Sequence, residues 1–270
     1  MTSRKSNRYT QLIEALFFKN YQEGDIEVPF QREELVEAAQ ELGIQLPKNI
    51  GDVIYSFRYR TGLPQAITSK AKEGYEWIIR GKGHAQYAFV LTRESNFLPN
   101  PNLANIKIPD STPGIVIKYA LEDEQALLAK IRYNRLIDIF TGVTCYSLQN
   151  HLRTTIKGTG QVETDEIYVG VDKQGVHYII PVQAKGKADK IGAAQIEQDF
   201  SLCSEKYPNT VGRPIAAQFI NGDVIVLFEF VMTNEGIKIQ EEKHYHLVHV
   251  DDLSEDEINN YRTRIMPKHI

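Results

Sequence analysis

The sequence predicts an α/β protein in two parts, and three observations predict it. Residues 8–60 hold three runs with apolar side chains at helical spacing, and 76–92 alternate as a hairpin does. Residues 119–270 run as helix, hairpin, helix and further strands, the succession that layers helices on a sheet. Between them lies a stretch rich in Pro and Asn. The expected organisation is therefore a first domain over 1–95, a linker over 96–118 and a second domain over 119–270.

In the first domain, RYTQLIEALFFKN (8–20) sets Leu12, Ile13, Leu16 and Phe17 on one helical face. QREELVEAAQELG (31–43) does the same with Leu35, Val36, Ala39 and Leu42. Acids fill its first turn and Gly43 ends it. A third helix is expected from Pro47–Asn49 onward, with Ile50, Val53, Ile54 and Phe57 inward and Lys48, Arg58 and Arg60 projecting from its ends. GYEWIIRGKGHAQYAFVLT then alternates, turns at Gly81-Lys82-Gly83 and alternates again, with Trp77 in the core.

In the second domain, LEDEQALLAKIRYNRLIDIF reads as one amphipathic helix and YSLQNHLRT as a shorter one. Two β-type runs follow around Lys173-Gln174-Gly175, then a helix in DKIGAAQIEQDFSLCSEKY. RPIAAQFI, an Asn221-Gly222 turn and DVIVLFEFVM make a second hairpin. Strands are expected near 236–240 and 244–250, and a closing helix has Ser254 as its N-cap.

Composition bounds the class. The chain has 270 residues, 42% hydrophobic and 24% charged, as globular domains do. No apolar run reaches bilayer length and the N-terminus lacks a signal-peptide core, so no membrane partner and a cytoplasmic location are expected. Cys145 and Cys203 lie outside any zinc or disulfide spacing. The net charge of −4 conceals a basic segment: residues 44–93 carry Lys48, Arg58, Arg60, Lys70, Lys72, Arg80, Lys82 and Arg93 against Asp52, Glu73 and Glu76. Such a segment reads either as a solvated surface of mixed charge or as a nucleic-acid footprint on one part of an acidic protein, and the second is expected here.

The chemistry concentrates in GQVETDEIYVGVDKQGVHYIIPVQAKGK (160–187). A three-residue loop with Gly175 left-handed pairs Asp172 with Val176. Counting back sets Asp165 opposite Gln183 and Glu163 opposite Lys185, on one face at the open end of the hairpin. A four-residue loop would bring Glu166 there instead. Phosphodiester hydrolysis uses a divalent cation held by hard oxygens. Asp165 offers a carboxylate, Gln183 an amide oxygen and Ala184 a backbone carbonyl. Lys185 offers positive charge beside the reacting phosphate. Replacing Gln183 by Glu is expected, on charge count alone, to tighten Mg²⁺ binding.

At these residues, ETDE and QAK, the chain resembles the PD-(D/E)XK nuclease superfamily in its Gln-x-Lys form. The resemblance implies a restriction-endonuclease-like α/β/α core with a mixed sheet. Asp165 would be the metal-binding acid, Gln183 the variable second ligand and Lys185 the lysine, with Glu163 restoring the charge that Gln183 lacks. It also implies a supporting polar residue on the next helix, Gln195 ahead of Gln198, and an acid on the preceding helix, Glu122 or Glu124. The only Pro-Asp pair, Pro109-Asp110, lies in the linker and reads as turn chemistry.

Three helices and a basic-tipped hairpin resemble a winged-helix domain. That resemblance implies that Asn49, Tyr55, Arg58 and Arg60 belong to the recognition helix and Lys82 and His84 to the wing. Arg153 and Lys157, in RTTIKGTG, suit either a loop on DNA phosphates or a plain turn. His244 and His246 share a strand face without a third ligand, as an ordinary half-exposed strand does. GKGHA lacks the spacing of a phosphate loop.

The function these readings imply is Mg²⁺-dependent cleavage of double-stranded DNA by a restriction endonuclease, a homodimer if it cuts both strands of a symmetric site. The alternatives are a catalytically inactive DNA-binding or regulatory protein, and a DNA-repair or mobile-element nuclease.

Overall fold

The computed structural model describes residues 8–93, 96–120, 124–187, 189–220, 224–234 and 236–265, with side chains to Arg262. Glu122 and the Asn221-Gly222 turn lie outside the described residues.

The first part is α1 (Arg8–Asn20), β1 (Glu27–Gln31), α2 (Arg32–Glu41), α3 (Gly51–Tyr59), α4 (Gln65–Thr68), β2 (Glu76–Gly83) and β3 (Gln86–Thr92). The strands form a sheet in the order β1-β3-β2. The apolar periodicity does what helical spacing requires: Leu12, Ile13, Leu16 and Phe17 are buried, as are Leu35, Ala39, Val53, Ile54 and Phe57. Trp77 joins that core, but Leu42 is exposed. The turn between β2 and β3 falls at His84-Ala85, later than Gly81-Lys82-Gly83, and the glycines carry a bulge instead.

Gly81 has a reason to be glycine. A Cβ there would stand 2.1 Å from the carbonyl oxygen of Thr159 in the second part, a backbone atom that cannot step aside. Gly81→Ala is therefore expected to force the two parts open at this contact, costing about 1–3 kcal/mol. A lower melting temperature and faster proteolysis between the parts would register it; an unchanged protein would show that the contact is not tight.

The second part begins within the expected linker. β4 (Asn96–Phe97) pairs with β9 (Ile191–Gly192), and β5 (Asn105–Pro109) runs parallel to β13 (Gly236–Val248) as an edge of the large sheet. Pro109-Asp110 ends β5 in a turn. Burial pushes the Asp110 carboxyl up, yet hydrogen bonds from Thr112 and Asn134 outweigh it and hold it below the ordinary value.

After α5 (Gly114–Tyr119) come α6 (Glu124–Tyr133) and α7 (Leu136–Thr141), where one continuous helix was expected. The break has a cause. Asn134 is buried and its amide serves Asp110, Thr112 and the backbone of Ser111, while Arg135 takes a left-handed φ of 49°. The turn at 110–112 thus interrupts the helix. The segment expected as a second helix, 146–154, is strand instead: it lies in β6 (Thr144–Ile156), paired with β7 (Gly160–Val171) almost end to end. Without that partner β7 would leave an open edge.

β8 (His177–Lys185), α8 (Ala193–Lys206), β10 (Val211–Gly212), β11 (Ile215–Phe219), β12 (Val224–Thr233), β13 and α9 (Glu255–Ile265) complete the chain. Ser254 caps α9 through the backbone N–H of Glu257. The sheet is mixed, in the order β5-β13-β12-β11-β8-β7-β6, with β10 also on β8. β8 is antiparallel to β7 and parallel to β11. Pro181 sits in its middle because its missing N–H points to the gap between β10 and β11, where Arg213-Pro214 breaks the neighbouring ladder. α6 and α7 cover one face through Leu127, Leu128, Ile131 and Phe140. α8 covers the other through Ala193, Ile196 and Leu202. Among the described residues no helix is long and apolar enough to cross a membrane.

Candidate functional site

The site starts from a turn. Gly175 has φ +80°, and the Asp172 carboxylate accepts the backbone N–H of Gln174 and of Val176, each at 2.9 Å. The Val176 bond above all holds that carboxyl below its ordinary range, with Tyr178 and Gln174 adding to it. This local chemistry selects the three-residue loop, and the register follows from Val171↔His177 to Glu166↔Val182. Over this span it is the register counted from the sequence, but the counted pairs Asp165 with Gln183 and Glu163 with Lys185 do not form.

Beyond Glu166 the two strands part, and the candidate residues occupy the opening. Asp165 is half-buried, and its Oδ2 accepts the N–H of Ala184 at 2.8 Å. In an extended strand a residue's N–H and C=O point to the same edge, so the Ala184 carbonyl also faces β7. Gln183 is buried toward α8. Its Nε2 donates to both oxygens of Asp199, at 3.2 and 3.0 Å, to Thr164 Oγ1 at 3.3 Å and to the carbonyl of Glu163 at 3.2 Å. Lys185, whose side chain is 13% exposed, lies 3.4 Å from Glu124 at the start of α6. Gln218, beside Lys185 on β11, donates to the carbonyls of Gly186 and Asp189 and fixes the loop leading to α8.

Two expected members face elsewhere. Glu166 is fully buried on the opposite face, where Arg132 stands 2.9 Å away and Ser147 donates at 2.5 Å. The three-residue loop dictates this, because only a four-residue loop would turn it toward Gln183. The Glu163 carboxylate pairs with Arg153, its neighbour across β6, at 3.1 Å. Gln195 is half-buried in the first turn of α8, and no hydrogen bond joins it to Asp165, Gln183 or Lys185.

The residue of α8 that meets Gln183 is Asp199, one helical turn after Gln195 and 1% exposed. Burial pushes its carboxyl up to about 8, while bonds from Gln183 and Thr164 pull it down; the charge of Asp165 raises it and that of Lys185 lowers it. Those mutual influences place Asp165, Gln183, Lys185 and Asp199 in one neighbourhood. The spacing Gln-x-x-x-Asp on a helix following the lysine strand was the sequence signal for it.

The expected DNA-contacting residues divide. Lys48, Tyr55, Arg60 and His84 are exposed, with Arg60 stacked over the Tyr55 ring at 5.2 Å. Asn49 is exposed but donates to Asp52 at the start of α3. Lys82 pairs with Glu27 at 2.9 Å. Lys157 is exposed, its backbone N–H bonded to Glu205. Arg58 differs: it packs over Tyr59 and Tyr87, and its Nε and Nη2 are buried without a hydrogen-bond partner. It belongs to the contact between the two parts. There Tyr59 accepts from Gln198 at 2.6 Å, and Arg80 meets Glu197. His244 is buried against Glu242 at 2.7 Å.

Among the described residues no three His, Cys, Asp or Glu side chains are grouped to hold a metal. The oxygen donors at the hairpin end are one carboxylate, one amide and one backbone carbonyl. No family model matches the chain, and neither a curated protein nor a solved structure does.

Proposed function

We propose that the chain is a Mg²⁺-dependent DNA endonuclease of the PD-(D/E)XK kind, a restriction enzyme whose first domain is a winged-helix DNA reader. The observation that carries this reading is the gathering of Asp165, Gln183 and Lys185 where β7 and β8 part. Helices on both faces of a mixed sheet, with β8 between an antiparallel and a parallel neighbour, support the restriction-endonuclease-like core. Helices α1, α2 and α3 with the sheet β1-β3-β2, Tyr55 exposed on α3 and Arg60 exposed just beyond its end, support the winged-helix reading.

The donor set fits the ion. Mg²⁺ takes hard oxygens, keeps several waters and needs only one or two carboxylates, so three grouped acids are not required. Asp165, the Ala184 carbonyl and the Gln183 amide oxygen would hold it. When bound, Mg²⁺ would bind the scissile phosphate and acidify a water. Lys185 would stabilise the negative charge that grows on the phosphate, from a poorly hydrated position that strengthens its effect. Glu124 would hold the ammonium in place. Arg153 and Lys82, each paired with a glutamate, would exchange that partner for a DNA phosphate. A twofold homodimer would cut both strands of a symmetric site.

Incubating DNA of known sequence with the protein and Mg²⁺, then sequencing the ends, tests the reading. Discrete fragments support a restriction enzyme, and a smear supports a repair or mobile-element nuclease. Binding without cleavage supports a non-catalytic DNA-binding protein. On the reader side, Arg60→Ala and Tyr55→Ala are expected to weaken DNA binding without lowering stability. A lost base-edge contact would cost about 1–3 kcal/mol and relax specificity, whereas a lost phosphate contact would weaken all sequences alike. Wild-type affinity in both variants at physiological salt would remove α3 from the DNA interface.

A further inference from the structure

We propose that Asp199 is a positioning residue that makes glutamine, and not glutamate, the side chain suited to position 183: it holds the amide nitrogen and so presents the amide oxygen to the cation. The inference rests on the reading of the hairpin end as a Mg²⁺ site.

The two ends of an amide are nearly equal in shape and differ in donating or accepting. Around Nε2 of Gln183 stand the Asp199 carboxyl, a backbone carbonyl and a hydroxyl. Nothing in that set requires the oxygen end. Asp199 is itself an unusual occupant. It is buried on α8, and among the described residues no lysine or arginine forms an ion pair with it, Lys185 being drawn to Glu124. A buried acid without a cation is costly. What it does have is Gln183.

The charge-count expectation for position 183 is thereby reversed. Gln183→Glu sets two buried carboxyls in contact, and two such groups share a proton instead of both ionising. The new side chain has no N–H to give Asp199, and a shared proton weakens it as a ligand. Exchanging the pair, Gln183→Glu with Asp199→Asn, restores one donor and one acceptor. It also moves the carboxylate to the cation side.

The test is a calorimetric titration of DNA-free protein with Mg²⁺ alone, together with melting temperatures measured without metal. The proteins are wild type, Gln183→Glu and the exchanged double variant. Gln183→Glu is expected to melt lower and to bind Mg²⁺ about tenfold more weakly than wild type. The double variant is expected to recover the melting temperature and to bind at least as tightly as wild type. If the double variant regains stability but binds as weakly as Gln183→Glu, Asp199 serves packing alone and the inference fails. Tighter binding by Gln183→Glu at unchanged stability overturns it as well. Should Gln183→Glu not fold, the double variant against wild type decides: weaker binding overturns the inference, and equal or tighter binding upholds it. Absence of Mg²⁺ binding by the wild type overturns the metal-site reading itself, which is a different result from either failure of Asp199.

Discussion

Lys185→Ala is expected to reduce DNA cleavage by about 10²–10³-fold or more at saturating Mg²⁺, the range seen when one preorganised charge-stabilising group is lost, while DNA binding stays near wild type. The side chain leaves the end of β8 beside Asp165 and Asp199 and is 13% exposed. Its ammonium therefore acts where water screens it little. Among the described residues its one ion pair is a 3.4 Å contact with Glu124, a residue 42% exposed. A pair of that kind contributes little to stability, so the variant should fold as wild type does. Lys185→Arg is the informative companion. It keeps the charge but replaces a compact ammonium with a planar fork, and it should recover only part of the rate. Single-turnover cleavage and a binding assay on the same preparations separate the two effects. Undiminished cleavage by Lys185→Ala would remove the lysine from the site, whatever the DNA affinity.

Arg132→Ala is expected to produce the largest loss of stability, about 3–5 kcal/mol. Glu166 is fully buried between α6 and the sheet. The Nε of Arg132 lies 2.9 Å from it but off the line of a hydrogen bond, so the pairing is one of charge; Ser147 supplies the hydrogen bond. Burial and the adjacent Glu166 hold the Tyr168 hydroxyl well above its ordinary range, so it stays neutral beside the carboxylate. Removing the guanidinium leaves a buried carboxylate uncompensated. For a chain of this length such a loss corresponds to roughly 10 °C in melting temperature. Replacing both partners with apolar side chains, Arg132→Met with Glu166→Leu, should restore most of the stability, since the desolvation of both charges is then avoided. A loss below about 1 kcal/mol in the single variant would place Glu166 in contact with water.

What the sequence determined by itself was local. The Gly175 turn and the Asp172 side chain specify the loop, and the loop specifies the register as far as Glu166 and Val182. Apolar periodicity specifies α1, α2 and α3, and Ser254 specifies the start of α9. Each of these follows from residues within a few positions of one another, where backbone sterics and hydrogen-bonding reach act directly. The tertiary structure decided the rest. Residues 146–154 have no decisive period of their own and became strand because β7 needed a partner. The expected linker contributed β5 because β13 had an edge to cover. Arg58 was basic and well placed on α3, yet it packs over Tyr59 and Tyr87 with its Nε and Nη2 buried. Lys185 met Glu124 from 61 residues away. Asp199 was one polar residue among several on α8 until folding laid that helix across Gln183. Which end of an amide faces outward is set by the partner at its other end, and that partner is chosen by packing between distant segments, which no local pattern encodes.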